Sequence, residues 1–336
     1  MTKFIKNTFI IFFILIIFTS KGFSQKSIII FKTDYSNNYM NYAIYDLIIK
    51  NIFLYSNLKI INSHSNYSSY NKIKSQIKKL TINNNANISI AYQIQNFKNG
   101  ILINYIIFDN EKPNEWIEKS AYSKEEDLFI SINKILKDIY EISKIKNKIT
   151  YIKEKDYISL LGYYSQKIIL TNNEDNIYKL FYDFHKDNIY FNIDYLEYLT
   201  DKSDRTSVDI INDLIKNMQN YINKKKNHYY LYSLGCMHYG KYKVNVILSD
   251  IEASIENYNK ALKLKNNYYK YYYRLANAYI LKNDYDNAIK YYEEAIKLNE
   301  YDINIIKEFV SLLKRDINKN GNEVISYLKK IIEINK

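Results

Sequence analysis

The chain is poor in cysteine, proline and glycine, with one, one and six of them among 336 residues. A single cysteine, Cys236, excludes an internal disulfide, so packing must hold the fold together. Its place within a helical apolar pattern predicts a buried residue. Scarce glycine and proline favour a largely helical chain, because both residues disfavour helix interiors. The few glycines form neither a phosphate-binding loop nor a G-x-S-x-G nucleophile motif.

Residues that could carry catalysis or bind metal are also few and scattered. The four histidines (His64, His185, His228 and His238) are far apart, and none is paired with cysteine or carboxylates at ligand spacing. Cys236 and His238 are two residues apart on a predicted helix and so point in different directions. The sequence therefore predicts no catalytic site, no metal and no cofactor. An enzyme with an unrecognised site remains an alternative.

The net charge of +12 does not by itself indicate nucleic acid as a partner. Arginine occurs only as Arg205, Arg274 and Arg315, and the lysines are spread along the chain. Nucleic-acid recognition usually depends on clustered Arg and Lys, so no nucleic-acid partner is predicted.

The first residues have the pattern of a secretory signal peptide. Lys3 and Lys6 precede an uncharged run over residues 9–18, and Gly22 and Ser24 supply small residues beyond it. This pattern predicts a signal peptide over residues 1–24, cleaved after Ser24, and an exported protein of the periplasm or outer envelope of a bacterium. A retained N-terminal anchor is the alternative, and membrane contact is expected only through this segment if it is uncleaved.

Residues 25–145 alternate between strand-like and helix-like patterns. The runs SIIIF (27–31) and 58–61 predict strands, and 88–97 and 101–108 predict a hairpin around Asn99-Gly100. A further strand is expected over 116–122. Helices are expected over 42–55, around Ile73, Ile77 and Leu80, and over 125–143 with Ser123 as N-cap. The predicted order is strand, helix, strand, helix, three strands, helix.

This order resembles the N-terminal domain of the periplasmic protein TolB, a domain that also precedes helical repeats in other bacterial proteins. The resemblance rests on the opening IIIF at 28–31, EWIEKSAY at 115–122 and DLFISINKIL at 127–136. It implies an α/β domain over about one third of the chain.

From residue 156 onward the apolar spacing is helical throughout. The spacing predicts five helix pairs, which we take as degenerate repeats over 156–225 and well-formed repeats over 228–336. The pairs are 156–170 with 175–184, 189–199 with 206–222, 229–239 with 250–264, 269–281 with 285–298, and 303–313 with 323–334. The predicted fold is an α+β N-terminal domain followed by an all-α helical-repeat solenoid.

Residues 269–300 (YKYYYRLANAYILKNDYDNAIKYYEEAIKLNE) carry small and large apolar residues at fixed spacings. They resemble a tetratricopeptide repeat, a helix–turn–helix unit in which helices cross closely where one side is small. The third pair has a longer separation between Gly235 and Ser254, which predicts a longer, Sel1-like loop around 241–249. The packing positions that the resemblance implies are Tyr272, Leu275, Ala276, Tyr279, Ala288, Tyr292 and Ala295.

In this family the concave face of the first helices holds peptide ligands, and some members clamp a carboxylate there with Lys, Arg and Asn. The corresponding positions predict a partner-binding set, although Cys236 occupies one place and the full clamp is not present. The predicted partner-binding residues are Lys270, Tyr273, Arg274, Asn277, Lys307 and Tyr232.

These observations predict a non-enzymatic exported adaptor that binds a protein or peptide of the cell envelope through the concave face of its repeats. The alternative is a glycan- or peptidoglycan-binding envelope module in which tyrosines stack on sugars. The sequence identifies neither the partner nor the oligomeric state.

Overall fold

The computed structural model describes residues 26–31, 39–61, 69–114, 116–144, 150–154, 157, 160, 163, 174–185, 187–218 and 227–334. The predicted signal segment and most of the predicted helix 156–170 lie outside these residues. The elements are β1 (Ser27–Phe31), α1 (Tyr39–Tyr55), β2 (Lys59–Ile61), α2 (Tyr70–Asn83), β3 (Ile88–Phe97), β4 (Gly100–Asp109), β5 (Trp116–Ser123), α3 (Leu128–Ser143), α4 (Glu174–His185), α5 (Ile189–Lys202), α6 (Arg205–Met218), α7 (His228–Asn245), α8 (Leu248–Leu264), α9 (Tyr269–Leu281), α10 (Tyr285–Leu298), α11 (Ile303–Leu313), a short 3-10 turn (Lys314–Asp316) and α12 (Ile317–Ile334).

The five strands form one sheet in the order β2-β1-β3-β4-β5. β2, β1 and β3 are parallel neighbours, whereas β3, β4 and β5 are antiparallel. One face of the sheet packs on α1 and α3, and part of the other face packs on α2. The predicted fold class, a small α/β region followed by paired helices, is confirmed.

Alternation along the strands explains this two-sided packing. Side chains of a strand point alternately to opposite faces. Ile28 and Ile30 of β1 therefore join the α1–α3 core, while Ile29 and Phe31 join the α2 core; all four are fully buried. A short strand that is buried on both faces has consecutive apolar residues, as residues 28–31 of the SIIIF segment do.

Three local predictions differ from the structure. Ser123 is the last residue of β5 rather than a cap; α3 begins after Asp127, which has no side-chain cap hydrogen bond. The tight turn of the β3–β4 hairpin consists of Lys98 and Asn99, and neither Asn99 nor Gly100 has a positive φ. Gly100 instead opens β4.

The long loop predicted around 241–249 is wrong. α7 continues to Asn245, so the extra residues lengthen the helix, and only Val246 and Ile247 connect it to α8. Val246 ends the helix in the left-handed region (φ 57°), with its N–H bonded to the carbonyl of Tyr242 at 2.7 Å. An apolar β-branched residue in this conformation is not one that a sequence pattern signals.

The helical region and the sheet share one buried core, and a lysine fixes their junction. Lys265, in the loop between α8 and α9, is 4% exposed. Its Nζ donates to the carbonyl oxygens of Phe53 (2.7 Å) and Ser56 (2.9 Å) at the C-terminal end of α1. Carbonyls at a helix C-terminus lack intrahelical donors, and the Lys265 amine supplies a donor to these two. His228 of α7 packs edge-on against the Phe53 ring at 5.1 Å.

A second set of polar contacts joins α1 to α5. The Lys50 ammonium lies 2.6 Å from Asp46 and 2.9 Å from Asp194 of α5. Asn51 donates to the Tyr190 hydroxyl at 3.1 Å. Buried polar groups are retained where they find partners, and these contacts fix the angle at which the helical region leaves the sheet.

None of the helices in the described ranges is long and apolar enough to cross a lipid bilayer.

Candidate functional site

The antiparallel pair α9–α10 carries most of the residues singled out by the sequence. The connection is tight: Asn283 takes a positive φ of 60°, and Asp284 caps α10 by accepting from the Asn287 N–H at 3.2 Å. Asparagine tolerates the left-handed region and aspartate favours the N-cap, so the local sequence KNDYDN dictates this turn.

The residues expected to pack between helices lie inside the array. Leu275, Ala276, Ala288, Tyr292 and Ala295 are at most 1% exposed. Tyr272 and Tyr279 are half-buried and their rings lie against that of Tyr291 of α10. The fully buried tyrosine of the YKYYY run is Tyr271, whose ring lies 4.5 Å from that of Tyr232.

Three of the six expected partner-binding residues turn towards a single carboxylate of the chain itself, Glu197 of α5. Tyr232 donates to Glu197 Oε1 at 2.6 Å, and Arg274 Nη2 lies 3.0 Å from Oε2. Lys270 Nζ is 3.6 Å from the same oxygen. The other guanidinium nitrogen of Arg274 pairs with Asp201 at 2.5 Å. Arg274 and Tyr232 are 3% and 0% exposed, so in this structure they have no surface for a partner.

Opposite charges within this cluster offset the cost of burying the Glu197 carboxylate. Burial alone would raise the pKa of the Glu197 carboxyl, but Lys270, Arg274 and the Tyr232 hydrogen bond outweigh it and hold the pKa below its ordinary value. The Glu197 charge in turn holds the pKa of Lys270 well above its ordinary value despite burial. The three groups therefore stay charged together at neutral pH.

The remaining expected residues border a groove between α9 and α11. Glu308 of α11 accepts hydrogen bonds from the hydroxyls of Tyr273 (3.0 Å) and Tyr292 (3.1 Å). The Tyr292 hydroxyl also lies 2.5 Å from Oδ1 of the Asn277 side chain. Lys307 is exposed beside them. The groove has a volume of about 330 Å³ and is lined by Asn277, Ile280, Tyr292, Lys307, Glu308, Ser311, Leu312 and Arg315.

Sequence reasoning missed Glu308 and Arg315 in this groove. It also missed the two acidic partners of Arg274, the buried Glu197 and the exposed Asp201. Glu308, Leu312 and Arg315 follow the i, i+4, i+7 spacing of one helix face, so a search along α11 from Lys307 could have found them. Glu197 lies 77 residues before Arg274 and belongs to a helix without a clear repeat register. No local pattern links the two.

The described part of the chain holds no group of three His, Cys, Asp or Glu side chains able to bind a metal. Cys236 is fully buried, and burial raises the pKa of its thiol to about 11, which keeps it protonated and unreactive. His238 faces Asp250 at 3.1 Å and not Cys236. His64 lies outside the described residues.

Residues 269–302 match the tetratricopeptide repeat. The match covers α9, α10 and the turn that leads into α11. α9 and α10 contribute Asn277, Ile280 and Tyr292 to the groove, and the other lining residues lie beyond the match, on α11 and the turn after it. No curated protein matches the chain. Two solved structures similar to it are described as MamA. One is 19% identical over 55% of this chain and 93% of its own, with a TM-score of 0.31. The other is 18% identical over 55% and 96%, with a TM-score of 0.32.

Proposed function

We propose that this chain is a non-enzymatic scaffold that binds a segment of a partner protein in the groove between α9 and α11. The observation that carries the proposal is the tetratricopeptide match over α9 and α10, which form one side of this groove. Paired helices of this kind stack into extended concave surfaces, and such surfaces bind other chains.

The chemistry of the groove favours a peptide with both apolar and acidic side chains. Ile280 and Leu312 provide an apolar floor, while Lys307 and Arg315 are exposed at its edge. The Arg315 guanidinium lies over the Tyr285 ring at 4.7 Å, which holds it at the groove's end. Glu308 lies at the same edge and accepts hydrogen bonds from two tyrosine hydroxyls. Lys307 and Arg315 together outnumber this one carboxylate, so the lining residues carry a net positive charge. A carboxylate of the partner would pair with them.

The test compares two charge-reversal variants of the full chain. Lys307→Glu changes the groove, and Lys263→Glu changes an exposed lysine on α8 as a matched control. Proteins crosslinked to each variant in the native cell are identified by mass spectrometry. We expect at least one partner to be crosslinked by wild type and by Lys263→Glu but lost with Lys307→Glu. Identical partner sets for all three chains would contradict the groove proposal.

We further propose that the protein is exported and acts in the bacterial envelope. The support is the signal-peptide pattern of residues 1–24, which lie outside the described residues. Cell fractionation together with N-terminal sequencing of the purified protein tests this proposal. A mature N-terminus at Gln25 in the envelope fraction is expected, whereas an intact Met1 in the cytoplasmic fraction would contradict export.

The proposal that residues 25–145 form a TolB-like N-terminal domain rests on the order of elements. Strand, helix, strand, helix, three strands and helix follow one another as that resemblance implies. The partners of such domains are not transferred to this chain, because the opening motif of the resemblance consists of core residues: Ile28, Ile29, Ile30 and Phe31 are fully buried.

A further inference from the structure

Among the residues that the structure describes, α2 covers only about half of its side of the sheet. α2 packs on Ile29, Phe31, Ala91, Ile106 and Phe108, which occupy one half of that face. β3, β4 and β5 continue beyond α2, and their side chains on the same face are half-buried or exposed. The border is marked by the ion pair of Lys74 of α2 with Glu118 of β5.

The pairing of β3, β4 and β5 determines which side chains lie on the part of the sheet that α2 does not cover. Gln95 is paired with Leu102, and Leu102 with Tyr122. The next row joins Gln93, Asn104 and Ser120, and Ser120 Oγ donates to the Asn104 side-chain oxygen at 2.6 Å. Side chains two residues apart on a strand share a face, so these rows and Phe97 form one surface. We call the polar and aromatic side chains of this surface the open sheet patch: Gln93, Gln95, Phe97, Asn104, Ser120 and Tyr122. The half-buried Leu102 lies between Gln95 and Tyr122.

The Tyr122 side chain lies directly over Gly100, and it fits there because glycine has no side chain. A Cβ on Gly100 would lie 2.5 Å from the Tyr122 hydroxyl oxygen and 2.6 Å from the Ser123 carbonyl oxygen, closer than atoms can approach. Because Gly100 has no positive φ, space rather than backbone conformation requires glycine there. The ring thus crosses the start of β4 and remains 53% exposed; Phe97, at the other side of the hairpin end, is 55% exposed.

The chemistry of the patch is unusual for this chain, which carries a net charge of +12. None of its six members is Asp, Glu, Lys, Arg or His. Primary amides and a hydroxyl both donate and accept hydrogen bonds, and aromatic rings offer flat apolar faces. A neutral sugar has the complementary groups, with hydroxyls at its edges and C–H bonds on its faces. An anionic ligand would find no cation among these six side chains.

We propose that the open sheet patch binds a neutral oligosaccharide, with Tyr122 stacking on a sugar ring and Gln93, Gln95 and Asn104 bonding its hydroxyls. Phe97 offers a second apolar contact. Rows on one face are about 7 Å apart along a strand, so the two rows and Phe97 span a ligand of two to four sugar units. This site lies on the sheet and is independent of the groove between α9 and α11.

The test is isothermal titration of the full chain with two uncharged probes, chitotetraose and cellotetraose, up to about 10 mM. Wild type is expected to bind at least one of them. Tyr122→Ala should weaken that binding about tenfold, while Tyr122→Phe, which keeps the ring, should stay within about twofold. Tyr301→Ala removes an exposed tyrosine of the helical region and is the matched control, expected to bind as wild type.

Two further variants separate the site from a general loss of structure. Gln93→Leu/Gln95→Leu keeps side-chain volume but removes the amides, and should weaken binding about tenfold or more with unchanged thermal unfolding. Gly100→Ala keeps the ring but displaces it, and should also weaken binding. Failure of both probes to bind would overturn the proposal, as would equal affinities of wild type, Tyr122→Ala and the double glutamine variant. Binding of a peptide but of neither sugar would also overturn the proposal, and would indicate instead that an extended peptide pairs with the edge strand β5.

Discussion

The Glu197 cluster should behave as a structural ion pair, which Glu197→Gln tests directly. Glutamine matches glutamate in shape but lacks its charge. The substitution leaves Arg274 at 3% exposure with Asp201 as its remaining ionic partner. It also weakens the acceptor for the Tyr232 hydroxyl and removes the neutralising charge near Lys270.

The size of the effect follows from burial. Removing one partner of a buried ion pair costs about 3–5 kcal/mol, because the other charge stays desolvated. Asp201 still pairs with Arg274, and the glutamine oxygen still accepts hydrogen bonds, so we expect about 2–3 kcal/mol here. With a urea m-value of about 3 kcal/mol/M, the unfolding midpoint should fall by somewhat less than about 1 M.

Equilibrium urea unfolding followed by circular dichroism measures this change. Glu256→Gln is the matched control, because Glu256 forms an ion pair with Lys260 on the surface of α8. Surface ion pairs contribute little to stability, so the unfolding midpoint of this variant should equal that of wild type. Equal midpoint shifts for the two variants would refute the reasoning.

The pH dependence offers a second readout of the same cluster. Because folding lowers the pKa of Glu197, its stabilisation is complete above the unfolded-state value of 4.5 and is lost as the pH falls through the folded value. The difference in stability between wild type and Glu197→Gln should therefore shrink below pH 4.5. A difference that stays constant down to about pH 3 would contradict a charge-based role.

Three further predictions concern packing and buried bases. Gly235→Ala should destabilise the protein by about 1–3 kcal/mol in urea unfolding, because its methyl group would collide with the buried ring of Tyr258, whereas Gly321→Ala, with no atom near, should stabilise by about 0.5–1 kcal/mol. Burial and the Lys265 charge lower the pKa of His228 to about 3. Between pH 6.5 and 3 the unfolded chain therefore binds a proton at His228 that the folded chain does not, so the free energy of unfolding should fall as the pH drops through this range. His228→Phe should not show this fall. Burial lowers the pKa of Lys265 to about 7; between pH 7 and 10.5 only the unfolded chain keeps that proton, so stability should rise with pH there, and Lys265→Met should remove the rise.

Much of the fold was predictable because local patterns determine it. The strand over Ile88–Phe97 has the predicted bounds, since its partner β4 also alternates and the two meet at a two-residue turn. Capping residues such as Asp284 and Asp302 determine where α10 and α11 begin. Helix spacing and the small residues of α9 and α10 likewise follow from residues close in sequence.

What could not be predicted depends on contacts between distant residues. Arg274 lies at a concave position of its repeat, and sequence alone assigns it to a ligand. In the structure α5 reaches that position, and Glu197 and Asp201 take up the guanidinium group. Likewise, the dipeptide Asn99-Gly100 predicts a turn from sequence alone. The structure shows that glycine is required at position 100 because the side chain of Tyr122, on another strand, lies over it.

The last prediction concerns the end of the array, where burial decreases. Leu275 of α9 belongs to the core shared with the sheet, whereas the adjacent Ala276 belongs to a separate cluster formed with α10, α11 and α12. In α12 only Val324 is fully buried among the described side chains, and Ile325 and Ile332 are 54% and 58% exposed.

Because local stability follows buried apolar contact, α12 should open without unfolding of α9. Native-state hydrogen exchange of the full chain should show faster amide exchange in α12 than in α9. Equal protection would mean that the two clusters unfold as one. A peptide in the groove contacts α9 and α11 together, so its binding should slow exchange in α11 and α12 and leave the sheet unchanged. A partner that slowed exchange in the sheet alone would bind elsewhere.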